Sequence, residues 1–205
     1  MVFSDYFSLS LQRPTTIIIP LLTMKKVYVF LAEGFEDIEA ITTIDVLRRG
    51  GLSVTTVSIT DVAQVLSAHH VCVTADACFA AVDFSDAQLL VLPGGLPGAD
   101  NLKAHDGLRQ LLTNHAAAGL RIGAICAAPI VLGNARLLDG KRATCYPGFE
   151  EALGDACHVT DGVVTDGNIT TAQGPAFSLP FAYTLLELLT DAETAAQVKT
   201  GMLYV

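Results

Sequence analysis

RIGAICAAPIVLGNA, residues 121–135, decides the fold. Arg121 to Ile125 form a short apolar run of buried-strand length, and Ala128 to Ala135 read as a helix. A lone cysteine, Cys126, lies between them. A side chain at such a strand-to-helix turn is held proud of the sheet, where a reactive atom meets substrate. The helix that follows offers free backbone N–H groups and a partial positive charge, so the expectation is a thiol biased toward thiolate. Most cysteines are small buried hydrophobes, and it is the turn that sets Cys126 apart.

Outward from this stretch, apolar strands alternate with helical patterns, the signature of a mostly parallel sheet covered on both faces. Val27 to Leu31 reads as the first strand. Glu36 to Arg49 reads as a helix, with Ile38, Ile41, Ile44 and Leu47 at three-residue steps and Gly50-Gly51 as its stop. Ser53 to Ile59 is the next strand, while His70 to Thr74 and the segment around Phe79 read as a weaker hairpin insert. Leu89 to Leu92 ends in Pro93-Gly94-Gly95, and a helix from Leu108 to Ala118 leads into the Cys126 strand. Further strands are expected over Arg142 to Cys145, at Val159, over Val163 to Thr165 and over Ile169 to Ala172. Helices are expected over Ala176 to Leu189 and Ala192 to Lys199. No repeat, low-complexity tract or linker interrupts the pattern, so residues 24–205 read as a single domain.

Residues 1–23, MVFSDYFSLSLQRPTTIIIPLLT, read as an N-terminal extension outside the core. They lack a basic n-region and a small-residue cleavage site, and their apolar runs are too short to span a membrane. Met24 is followed at once by the first strand, so Met24 is the expected start of the protein.

The chain has 205 residues, 51% of them hydrophobic and 16% charged, which fits one globular domain with an ample core. A formal net charge of -9 argues against nucleic acid as a partner, because phosphate binding needs clustered Lys and Arg. Five cysteines with no CxxC and no framework spacing suit a reducing, cytoplasmic setting. Neither they nor the five histidines form a metal-site pattern, and no metal or cofactor is expected. His69 and His70 are adjacent, hence a poor ligand pair on a strand.

In open parallel sheets the site lies beyond the carboxyl ends of the strands. Three such places carry polar or glycine-rich sequence: Glu33 to Glu39, Pro93-Gly94-Gly95, and Cys126-Ala127-Ala128-Pro129. Glu39 sits one turn inside its helix, and helical side chains lean N-terminally, so it can reach back toward Cys126. A carboxyl desolvated beside a thiolate has a raised pKa, donates a hydrogen bond and then shuttles a proton. The N–H groups of Gly95 and Ala127 are candidates for an oxyanion hole over Cys126, with Gly94 helping the backbone to approach closely. The competing readings are a solvated helix-face charge for Glu39 and a plain tight turn for Gly94-Gly95.

Five blocks occur in one order: LAEGFEDIEAITTIDVLRRGG (31–51), VLPGGLPGADNL (91–102), IGAICAAP (122–129), TAQGPAFSLPFA (171–182) and AAQVK (195–199). From Met24 onward they resemble the ThiJ/PfpI superfamily, most of all its DJ-one branch, including bacterial ThiJ/YajL-type proteins. The resemblance implies a flavodoxin-like α/β sandwich, usually a homodimer, with a reactive cysteine at a nucleophile elbow and a partly protonated glutamate beside it. Cys126 matches that cysteine, Glu39 that glutamate, and Gly95 with Ala127 the backbone donors.

The departures matter equally. Ala127 stands where the protease-like branch places a histidine, which removes the base of a peptidase. The elbow and downstream histidine motif of glutamine amidotransferases is absent. Tyr146 stands where the DJ-one branch often has a histidine before Pro147, and His69 stands where it often has an arginine. Arg48 and Arg49 match an Arg-Arg pair, as a dimer contact or as surface charge. The leading expectation is a thiol enzyme acting on small reactive dicarbonyls such as methylglyoxal, of glyoxalase or deglycase type. The alternatives are a redox sensor or protective chaperone working through oxidation of Cys126, a PfpI-type cysteine peptidase, and a metabolite-binding domain without chemistry.

Overall fold

The computed structural model describes residues 25–204, and the expectations for residues 1–23 and for Met24 lie outside the described residues. A seven-stranded sheet is built from β1 (Lys26–Leu31), β2 (Ser53–Ser58), β5 (Ala77–Cys78), β6 (Ala87–Leu92), β7 (Arg121–Ile125), β10 (Val163–Asp166) and β11 (Ile169–Ala172). Its order is β10-β11-β7-β6-β1-β2-β5, parallel throughout except that β10 runs antiparallel to β11. The run β2-β1-β6-β7-β11 is the flavodoxin-like order, whose reversal point lies between β1 and β6.

Each strand feeds two cores because side chains alternate faces. On β1, Val27, Val29 and Leu31 join α1 (Asp37–Arg49), α5 (Ser178–Leu189) and α6 (Ala192–Gly201) through Ile44, Leu47, Phe181, Leu185, Leu186 and Ala195. Tyr28 and Phe30 enter the opposite core, against α2 (Gly98–Ala104), α3 (Asp106–Ala117) and α4 (Pro129–Asn134), through Leu102, Leu108, Leu112 and Ile130. Full burial of one such large apolar side chain is worth about 1.5–3 kcal/mol, so both layers hold the sheet firmly. The termini of α1 match the helix dipole, with Asp37 and Glu39 in its first turn and Arg48 and Arg49 in its last.

Three details differ from the sequence reading, and the Arg48-Arg49 pair gains contacts that leave both of its readings open. The hairpin insert pairs β3 (Gln64–Leu66) with β4 (Cys72–Thr74), whereas the segment before Phe79 joins the main sheet as β5. Helix α2 went unforeseen, because Pro97-Gly98 looks like a turn signal. The strand expected over Arg142 to Cys145 is only β8 (Arg142–Ala143), paired with β9 (Cys157–His158) where Val159 was expected. Arg48 and Arg49 are engaged within the chain, Arg48 with Asp76 at 3.0 Å and Arg49 with Asp45 at 2.8 Å. No helix among the described residues is long and apolar enough to cross a membrane.

Candidate active site

The carboxyl ends of β1, β6 and β7 converge at the sheet's reversal point, and Cys126 stands at the centre. It adopts φ 64°, a left-handed conformation that costs a side-chain-bearing residue about 1–2 kcal/mol. Two backbone hydrogen bonds hold it there: its N–H donates to the Ala172 carbonyl at 2.9 Å, and its carbonyl accepts from the Tyr146 N–H at 2.8 Å. The residue is 9% exposed, at the base of a pocket of about 290 Å³ lined by Glu36, Gly95, Leu96, Ala127, Tyr146, Phe149 and Pro175.

Glu39 is fully buried beneath the thiol. Its Oε2 accepts from the Gly94 N–H at 2.8 Å, while Oε1 has no hydrogen-bond partner of good geometry. Gly94 makes this approach feasible, since a Cβ there would lie 2.7 Å from the Cys126 Cβ and 2.8 Å from Glu39 Oε2. Gly95 is needed for a different reason: at φ +86° a Cβ would press on the Glu36 nitrogen and the Gly34 carbonyl.

The two acids perturb each other. Burial raises Glu39 to about 7, against the lowering effect of its contacts with Cys126 and the Gly94 N–H. Burial, then the neighbouring Glu39 charge, pushes the Cys126 thiol up to about 12, and the N–H groups of Gly95 and Ala127 pull the other way without prevailing. This corrects the expectation of a thiol biased toward thiolate by the following helix. That helix starts only at Pro129, and desolvation beside a carboxylate outweighs its field. Each group's charge disfavours the other's, so between about pH 7 and 12 the pair carries a single negative charge, which rests mainly on Glu39.

Tyr146 is 47% exposed and its hydroxyl makes no hydrogen bond with a described residue. Its ring meets Phe149 edge-on at 6.4 Å between centroids and lies over Gly174. It serves as a wall and, through its N–H, as a brace for Cys126. His69 stands beside the pocket, its Nδ1 at 2.6 Å from Asp37 Oδ2 and 3.7 Å from Glu36 Oε2. The hydrogen bond to Asp37 and the Glu36 charge raise its pKa. Larger grooves at Arg49–Gln197 and at Arg109–Arg136 are lined by no cysteine, histidine or carboxylate among the described residues.

Cys126, Glu39, Gly94, Gly95, Ala127 and Tyr146 are thus brought together, and His69 reaches them only through Glu36. The sequence reading missed Leu96, Phe149 and Pro175. Pro175 follows the end of β11 and the strand-end rule leads to it; Phe149 comes from an irregular segment that carries no such signal.

A flavodoxin-ordered sandwich with a cysteine at its elbow and a buried glutamate under the sulfur defines a class of α/β proteins with a thiol–carboxyl pair at the sheet's reversal point. Comparison with known proteins gives the family. The DJ-1/PfpI family model matches residues 25–188, and the chain belongs to this family. Protein DJ-1 homolog B of Arabidopsis thaliana is 40% identical over 85% of the chain, but the match spans only 40% of that longer protein. The glutathione-independent glyoxalase DJR-1.2 of Caenorhabditis elegans is 32% identical over 78% of the chain and 86% of its own length. Among solved structures, oxidized Toxoplasma gondii DJ-1 superposes with a TM-score of 0.85 at 36% identity, covering 88% of this chain and 99% of that one.

Proposed function

We propose that the protein is a cofactor-independent thiol enzyme that converts small 2-oxoaldehydes to 2-hydroxy acids, methylglyoxal to lactate being the simplest case. The observation that carries this reading is the one-charge pair of Cys126 and Glu39 facing a pocket with two backbone donors. The similarity to a glutathione-independent glyoxalase supports it.

With the proton on Glu39, the Cys126 thiolate adds to the aldehyde carbon. A sulfur–carbon bond forms and the carbonyl electron pair moves to oxygen, held by the Gly95 and Ala127 N–H groups. Glu39 delivers its proton to that oxygen and becomes the base. It then takes the proton from the former aldehyde carbon to give an enediolate, the hydroxyl proton passes to the neighbouring oxygen, and Glu39 returns its proton to the adjacent carbon. The product is a thioester of the hydroxy acid, and water cleaves it, regenerating the thiol. The sum is dicarbonyl plus water to hydroxy acid, with no net redox change. No histidine among the described residues lines the pocket, which speaks against the peptidase reading.

The test is methylglyoxal consumption with lactate detection, without glutathione, on reduced protein beside Cys126→Ala and Glu39→Gln. Turnover in the wild type and a loss of about a hundredfold or more in both variants are expected. Wild-type turnover no greater than that of Cys126→Ala sinks the enzyme reading.

A second reading has its own support. A protonated Glu39 beside the sulfur is a ready donor to a sulfinate oxygen, and the Toxoplasma gondii relative is described as oxidized. Graded peroxide followed by mass spectrometry tests it: Cys126 must gain oxygen before the exposed Cys72 and Cys157, or sensing by Cys126 is abandoned.

A further inference from the structure

We propose that Glu36, Asp37 and His69 form a binding site for a first-row divalent cation at the rim of the Cys126 pocket. One donor atom from each residue lies within 4.8 Å of the other two. The site joins the turn into α1 to the β3–β4 hairpin, segments more than thirty residues apart, which is why no sequence spacing announced it.

Two observations besides proximity point to a ligand. The first is Glu36. Its side chain is 12% exposed and accepts no hydrogen bond from a described residue, its one ion-pair partner among the described residues is the His69 imidazole at 3.7 Å, and beside it Asp37 Oδ1 is buried with no hydrogen-bond partner. A buried carboxylate oxygen left without a partner, as Asp37 Oδ1 is, is costly unless a cation joins it. The second is local charge. Glu36, Asp37 and Glu39 crowd one turn, and among the described residues only His69 forms an ion pair with any of them. The His69 imidazole is itself a metal ligand that can act in its neutral form.

The geometry is near what binding requires. Donors at about 2.0–2.2 Å from a metal stand about 3–3.5 Å from one another. The His69–Asp37 separation of 2.6 Å need only open slightly and the His69–Glu36 separation of 3.7 Å close slightly, by rotation of a side chain that is 66% exposed. Two carboxylates and one imidazole suit Mn2+, Fe2+ or Zn2+, with water completing the shell. Cys126 is not a ligand, so the site stands independently of the thiol chemistry proposed above.

Manganese is the probe, because thiolates compete for it poorly. Mn2+ is titrated into the full chain near neutral pH, and the free ion is read by electron paramagnetic resonance. The expected result is one Mn2+ per chain, bound about tenfold or more weakly by His69→Ala and by Glu36→Gln, and unchanged in Cys126→Ala. No uptake at about 1 mM free Mn2+, or uptake equal in wild type and both ligand variants, overturns the proposal. His69 is exposed, so its variant carries the test even where Glu36→Gln perturbs folding.

Discussion

Glu39 is a fully buried carboxyl with only one of its two oxygens hydrogen-bonded. Its folded pKa of about 7 exceeds the ordinary value of 4.5, so the fold favours the neutral acid. The resulting stability is complete below about pH 4.5 and is lost as pH rises through 7. Glu39→Gln, which stays neutral and can still accept from the Gly94 N–H, should therefore gain about 2–3 kcal/mol over wild type at pH 8 relative to pH 4. Paired urea denaturations at the two pH values measure this, and a pH-independent difference would contradict the burial argument. Tyr146 makes the opposite prediction: with no partner for its hydroxyl, Tyr146→Phe should retain dicarbonyl turnover within about twofold. A larger drop would give the phenol a chemical part. Cys126 and Glu39 were legible as a pair in the sequence because strand ends and helix lean are local rules. The direction of the thiol's pKa was not, since the degree of burial that sets it exists only after folding.

Among the elements, the β6–α2 turn is the most exacting. Gly95 at φ +86° lies against the Glu36 backbone, so Gly95→Ala should cost about 2–4 kcal/mol in a thermal or urea melt and abolish turnover by displacing an oxyanion donor. Asp76 holds a different junction. It accepts from the Thr56 N–H and hydroxyl, both at 2.8 Å, and from Arg48 of α1 at 3.0 Å. Burial raises its pKa, but the bonds from Thr56 and Arg48 outweigh burial and leave it depressed. Asp76→Asn should lose about 1 kcal/mol at pH 7 because the side chain is half-exposed. That difference should vanish as pH falls through the folded pKa, below the ordinary 3.8. Most long elements were legible from apolar periodicity and β4 was read within His70 to Thr74, whereas α2 and β3 were not. Pro97-Gly98 hides a helix start, and β3, three residues long, leaves too little alternation to count.

For the molecule as a whole, the two-core sandwich and its reversal point followed from the alternation of strands and helices, while the pocket walls did not, being assembled from distant loops. The outer face of α1 leaves Ile38 54% and Ile41 46% exposed, three residues apart and therefore side by side. A homodimer through this face is the expected assembly. Sedimentation equilibrium should give twice the chain mass, and Ile41→Glu should shift it toward monomer; a monomeric wild type would retire the proposal. The uncovered stretch of β2 has a further meaning. Beyond the two residues paired with β5, its Thr56 N–H is held by Asp76 and its Val54 carbonyl accepts from Arg48 at 3.0 Å. Side chains of this chain thus occupy the ladder positions that a foreign strand would need for recruitment. That stretch of β2 is plugged, and there the sheet offers no template for edge-to-edge aggregation.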